Sequence, residues 1–194
     1  MKIAILGWGS LLWDKRLEFD RHIGDWLADG PYLNLEFSRV SKSRAGALTL
    51  VIDETHGANC QVSYALSKRI NPHDAICDLR CREGTTLKSI GYHFSDCSSS
   101  GEPVVSNGIE IWMKTNDIDV AVWTGLTSNF QNIDDRPTFS IPTALSYLSN
   151  LPSEGKAKAA EYVWRAPEFI QTPLRSALEV LPWFAHSVSE SGAC

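Results

Sequence analysis

The sequence predicts an α+β fold in which strands dominate the first two thirds and helices the last quarter. Two observations carry that expectation. Up to Trp123 the apolar residues fall in short runs, β-branched or alternating and punctuated by Gly and Pro, whereas from Ile141 onward they fall at helical spacing, divided by Pro152, Pro167 and Pro182. No repeat period or low-complexity tract competes with this pattern. The 194 residues suit one folding unit, with a core over residues 1–140 and a helical extension over 141–194.

Ile3-Ala4-Ile5-Leu6, ended by Gly7, predicts a buried first strand feeding a tight turn. Ile23, Trp26 and Leu27 have helix-compatible spacing over residues 22–28, and Asp29-Gly30-Pro31 ends that segment. Leu33, Leu35 and Phe37 alternate with Asn34, Glu36 and Ser38, the pattern of a strand with one buried and one solvated face. Residues 47–52 read as a fully buried strand and 60–66 as a third run, so a meander is expected. Asn71 then suits a helix N-cap and Pro72 the first helical position, while Ile76, Leu79 and Cys77 supply an apolar face up to the stop at Gly84. Residues 89–94 and 120–123 read as strands joined through a flexible stretch at Ser98–Gly101. Three helices follow, around residues 144–148, 157–164 and 174–181.

Composition excludes several classes. Hydrophobic residues make up 43% and charged residues 21%, which is globular rather than disordered or coiled-coil usage. A net charge of −5 disfavours nucleic acid, whose phosphates demand clustered cations, and the densest basic stretch, Arg39 to Arg44, holds only three. A small molecule or a protein is the expected partner, and no sequence feature fixes the oligomeric state. The five cysteines are odd in number and lack Cys-x-x-Cys spacing, so they read as reduced cytoplasmic thiols rather than a disulfide framework. Met1 to Leu12 is too short and too glycine-broken for a signal peptide, and no apolar run approaches the length of a membrane span.

Two motifs carry chemistry. In Gly7-Trp8-Gly9-Ser10-Leu11-Leu12 the glycines permit a sharp turn that can aim successive N–H groups at an anion, although the same residues also make an ordinary Gly-containing turn. The third glycine and later acidic residue of a dinucleotide fingerprint are missing, and no Gly-x-Ser-x-Gly elbow surrounds Ser10 to make it a nucleophile. The second motif is Leu79-Arg80-Cys81-Arg82-Glu83-Gly84, which places a carboxyl at a helix C-terminus. The carbonyls there concentrate negative charge, so the position favours proton exchange near neutral pH; pairing with Arg80 or Arg82 on an exposed surface is the plainer alternative.

Together the two motifs resemble the γ-glutamylcyclotransferases. Trp8-Gly9-Ser10-Leu11-Leu12 is similar to that family's Tyr-Gly-Ser-x-Leu/Met turn, and closer to the Gly-Ser-Leu form of its ChaC-type members; Arg82-Glu83-Gly84 resembles the Glu-Gly element that supplies the catalytic glutamate. The order of the two and their separation by a strand-rich stretch of about seventy residues also fit. The resemblance covers residues 1–123 and implies a small mixed β-barrel with flanking helices. It implies Glu83 as the catalytic acid/base, with Gly7, Trp8, Gly9, Ser10 and Leu11 as the substrate cradle and, more loosely, Tyr92 as a site tyrosine. Trp8 replaces the family's tyrosine, so any role for a phenol hydroxyl there is lost or moved. The implied reaction converts a γ-glutamyl amide to 5-oxoproline and a free amine, as in glutathione metabolism, without metal or cofactor. A non-catalytic module using the same cradle, or docking a protein, is the alternative.

Other signals are weaker. His73, Cys77 and Cys81 share a helical stripe, but the first and third lie about 12 Å apart on a straight helix, too far for one zinc ion, so buried core thiols are expected instead. Trp112, Trp123, Trp164 and Trp183 read as core rather than an aromatic cage, and Asp134-Asp135-Arg136-Pro137 as an ion-paired loop rather than a metal corner.

Overall fold

A computed structural model describes residues 1–96, 107–131 and 137–184. Its first half runs β1 (Ile3–Gly7), α1 (Ser10–Trp13), α2 (Leu17–Asp20), β2 (Tyr32–Val40), β3 (Leu48–Ile52), β4 (Ala58–Gln61), β5 (Ser63–Leu66) and α3 (Pro72–Glu83). Then come β6 (Ile90–Phe94), α4 (Asn107–Asn116), β7 (Val120–Thr124), α5 (Ile141–Ser149), α6 (Ser153–Arg165) and α7 (Pro173–Glu179). The α+β class is as expected. Among the described residues, however, the strands form a four-stranded sheet, β5-β1-β7-β6, and a three-stranded sheet, β3-β2-β4, rather than a closed barrel. No helix among the described residues is long and apolar enough to cross a membrane.

The chain falls into two compact units. The first comprises Met1–Leu33 and Gln61–Leu126; the second comprises Asn34–Cys60 and the described residues from Thr127 onward.

In the first unit β1 pairs antiparallel with β5 and parallel with β7, which pairs antiparallel with β6. All five residues of β1 are buried, as suits a central strand covered on both faces. Ala75, Ile76 and Leu79 of α3 pack on one face, against Ile3, Ile5, Val120, Val122 and Ile90. On the other, Trp112 of α4 meets Tyr64 edge-to-face at 4.9 Å and donates its indole N–H to the Asp29 carbonyl at 2.8 Å. The caps of α3 are those expected: the Asn71 side chain accepts from the His73 amide, Pro72 begins the helix, and Gly84 ends it at φ 60°.

The second unit builds its sheet around β2, with Phe37 edge-to-face on Tyr162 of α6 at 6.2 Å and Phe130 similarly set against Phe139 and Tyr147. Helices α5 to α7 begin after Ser140, Pro152 and Thr172, each within a few residues of its expected start.

Four further expectations are corrected. Residues 22–28 are not a helix: Gly24 and Leu27 donate to the carbonyls of Leu66 and Tyr64, so the segment lies extended along the edge of β5 and satisfies backbone groups there. The 60–66 run is two strands, because the chain changes sheet at Val62. On β2 the register shifts between Glu36 and Arg39, so Glu36 and Ser38 are buried together with Phe37 instead of facing water. Finally, Cys77 is half-buried and Cys81 exposed, so neither is a core thiol. One element was not anticipated. Helix α4 follows a sequence stretch rich in turn residues, Ser98–Gly101 and Pro103, and its buried Ile109, Trp112 and Met113 show i, i+3, i+4 spacing. The Ser98–Gly101 stretch, Asp134-Asp135-Arg136, Cys97 and Cys194 lie outside the described residues.

Candidate active site

The end of α3 docks on the turn that follows β1. Residue 82 is the clasp: its Nη2 donates to the Ser10 carbonyl at 3.1 Å and to the Asp14 carbonyl at 2.9 Å. Arg82 also approaches the Asp14 carboxylate at 3.8 Å and, through Nη1, the Glu83 carboxylate at 3.5 Å. Its side chain is only 5% exposed and that of Glu83 17%, so this is not the solvated surface pair of the plainer reading. The last residues of a helix have carbonyls to satisfy, not donors to give. An arginine there is long enough to run sideways and serve the carbonyls of another element instead.

The turn itself is anchored by Gly9, at φ 64° and ψ −139°, a backbone state that only glycine adopts without strain. The Leu12 amide donates to the Gly9 carbonyl at 3.1 Å and the Asp14 amide to the Ser10 carbonyl at 2.8 Å, which fixes the short helix α1 directly above the end of β1. Gly7 serves a different purpose from the one expected of it. It belongs to β1 and has no positive φ; a Cβ there would stand 2.6 Å from the Trp26 ring and 3.1 Å from Leu12. The missing side chain makes room for an indole.

Trp8 and Leu11 are buried, Leu11 within the core beneath α3, while Ser10 is partly exposed. Thus Glu83 and Ser10 are linked through Arg82, whereas Gly7 and Leu11 make packing contacts within the unit and Trp8 is buried. Tyr92 lies on β6, on the same side of the sheet as Ile90 and Phe94, 40% exposed and edge-to-face with Phe94 at 5.9 Å. No feature of the sequence marked Arg82 out from Arg80 beside it. Only the fold, which carries residue 82 across a separation of 72 positions to Ser10, distinguishes them.

A second constellation, in the other unit, escaped the sequence reading because it depends on the β2 irregularity. The Glu36 carboxyl is fully buried and accepts from the amides of Phe37 at 2.7 Å and Leu174 at 3.2 Å. Burial pushes it above the usual carboxylate range, against the opposing effect of the Thr172 side chain and of those amides, and neighbouring Asp53 adds to the rise. For Asp53 the balance reverses. Burial would raise it, but the Ser38 side chain, the amides of His56 and Thr55 and the His56 charge hold it below the ordinary value. Burial likewise raises the Cys60 thiol, whose Sγ lies 3.4 Å from the Gln171 carbonyl. These groups tie the start of α7 to the sheet.

Among the described residues no group of three or more His, Cys, Asp or Glu side chains could hold a metal ion. No family model, curated protein or solved structure matches the chain.

Proposed function

We propose that the chain is a γ-glutamylcyclotransferase-like enzyme that releases 5-oxoproline from a γ-glutamyl amide or peptide, with Glu83 as its general acid/base. The observation that carries the reading is the Arg82 clasp: one guanidinium donates to the Ser10 and Asp14 carbonyls and lies 3.5 Å from the Glu83 carboxylate.

The substrate's α-amine attacks its own γ-carbonyl carbon. A C–N bond to the ring nitrogen forms, the original amide C–N bond breaks, and the proton lost by the amine goes to the departing amine. Glu83 carries that proton in both directions, first as base and then as acid; such a relay contributes about 10²–10⁴ in rate. Holding both reacting atoms of one molecule in a folded-back conformer supplies more, about 7–11 kcal/mol in well-oriented cases. The partly exposed Ser10 serves as a ligand to the glutamyl head, not as a nucleophile. Glutathione, γ-glutamyl amino acids and γ-glutamyl amines all present the same reacting half, and the reaction as written calls for no metal or cofactor. A soluble γ-glutamyl substrate accords with a cytoplasmic protein without nucleic-acid or membrane partners.

The test is a screen of γ-glutamyl compounds with 5-oxoproline as the readout, repeated with Glu83→Gln. Turnover by the parent and a loss of about 10²-fold or more in the variant is the expected result. The alternative is a module that binds a glutamyl-like ligand at the Gly9-Ser10 turn without turnover. It is distinguished by calorimetric binding of a γ-glutamyl compound with no 5-oxoproline formed.

A further inference from the structure

Beside α3, within the first unit, lies a groove of about 450 Å³, a size that suits a small molecule. Neither Glu83 nor any residue from Gly7 to Leu12 lines it. Its walls carry four guanidinium groups, from Arg16, Arg21, Arg69 and Arg82, against two carboxylates, Glu18 and Asp78, and Cys81 is at its rim, exposed. In a chain of net charge −5 the lining itself is cationic, while Asp14 and Glu83, outside it, pair with Arg16 and Arg82.

The four arginines are not equivalent. Arg69 is held in a two-pronged contact with Asp78, at 2.7 and 2.9 Å, and this pairing raises its already high pKa. Arg82 is fixed by the Ser10 and Asp14 carbonyls, yet its Nε–H is buried without a hydrogen-bond partner among the described residues, in a side chain 5% exposed. An unpaired guanidinium donor is costly, and because this N–H is closed off from solvent, Arg82 acts in the groove as a fixed charge rather than as a donor to a ligand. Arg16 and Arg21, 59% and 57% exposed, pair with Asp14 at 3.2 Å and Glu18 at 2.6 Å. Exposed pairs of this kind hold little free energy, so both arginines can turn from their carboxylates to an incoming anion.

We propose that this groove binds a small dianion, a phosphate monoester or a dicarboxylate, between two fixed and two movable guanidinium groups. Guanidinium forks match both oxyanion geometries, and the mixture of fixed and movable cations suits a ligand that must enter and leave. The groove shares Arg82 with the Glu83 site, but it is lined by neither Glu83 nor the Gly7–Leu12 turn, and its test does not depend on the cyclotransferase reading.

Cys81 is a built-in reporter. Its alkylation by iodoacetate, an anion, and by iodoacetamide, a neutral reagent of similar size, can be followed site by site by mass spectrometry in the full chain. Cys77, one turn earlier on α3 and outside the groove lining, is the internal control; because Arg80, also outside the lining, donates to the Cys81 Sγ at 3.1 Å, the groove is read from the change in ratio on Arg16→Gln/Arg21→Gln and from anion protection. The iodoacetate-to-iodoacetamide rate ratio is expected to be higher at Cys81 than at Cys77, by roughly threefold or more at low salt, and to fall toward the Cys77 value in Arg16→Gln/Arg21→Gln. In the unaltered protein, millimolar inorganic phosphate or malonate is expected to slow both reagents at Cys81 and neither at Cys77. Protection by phosphate alone assigns a phosphorylated ligand, by malonate alone a dicarboxylate, and by both a site that reads charge and size. Equal ratios at the two cysteines together with no protection by either anion would overturn the proposal, and that arm needs no variant.

Discussion

A methyl group at residue 7 would have to share space with an indole. With only 2.6 Å between the position of a Cβ and the Trp26 ring, which itself packs on the core, the ring or the strand must move. Gly7→Ala is therefore expected to lose about 1–3 kcal/mol of stability by overpacking. The same change in a Trp26→Leu background should cost far less, and chemical denaturation of the four proteins of this cycle measures the coupling. Equal costs in both backgrounds would mean that Gly7 is needed for something other than the Trp26 contact. Gly9, by contrast, is required by its backbone angles, as a turn glycine in the sequence suggests. Residue-level signals of that kind were legible. The role of Arg82 was not, because a clasp to carbonyls 68 and 72 positions away leaves no trace in local spacing.

At the scale of elements, α3 was the most legible piece of the molecule, since its Asn-Pro start and its Gly stop are both local chemistry. Segment 22–28 was misread because three apolar residues at helical spacing also suit a chain that covers a strand edge, and the hydrogen bonds of β5 decide between the two. The buried polar side of β2 was hidden by its register shift. That shift places Glu36 against the first turn of α7, where a helix has free amides to donate. Its carboxyl is raised in the folded state, so folding holds the proton more tightly than the unfolded chain does. The sign follows: as pH rises from the unfolded carboxylate value through the raised folded value, the Glu36 contribution turns against folding. Asp53, held below its ordinary value, acts oppositely and loses its contribution as pH falls through its folded value. Urea titrations across the acid range should show the stability of the parent relative to Glu36→Gln declining as pH rises. A difference that does not change with pH would remove the linkage.

For the whole molecule, composition and the order of patterns were enough for the α+β class, because both depend on sums over many residues rather than on any one. The pairing of the described strands into sheets of four and three was not, since the chain changes sheet at Val62 with no Gly or Pro to mark the change. The candidate site was legible as two motifs, but their meeting depends on the β1–β7 pairing and the packing of α3 over it. The most direct measurement is 5-oxoproline formation from a panel of γ-glutamyl compounds by the parent protein and by Glu83→Gln, each checked for an unchanged fold by circular dichroism. Release by the parent with a drop of about 10²-fold or more in the folded variant is the expected result. Undiminished release by Glu83→Gln, or none by the parent from any compound, would contradict the account.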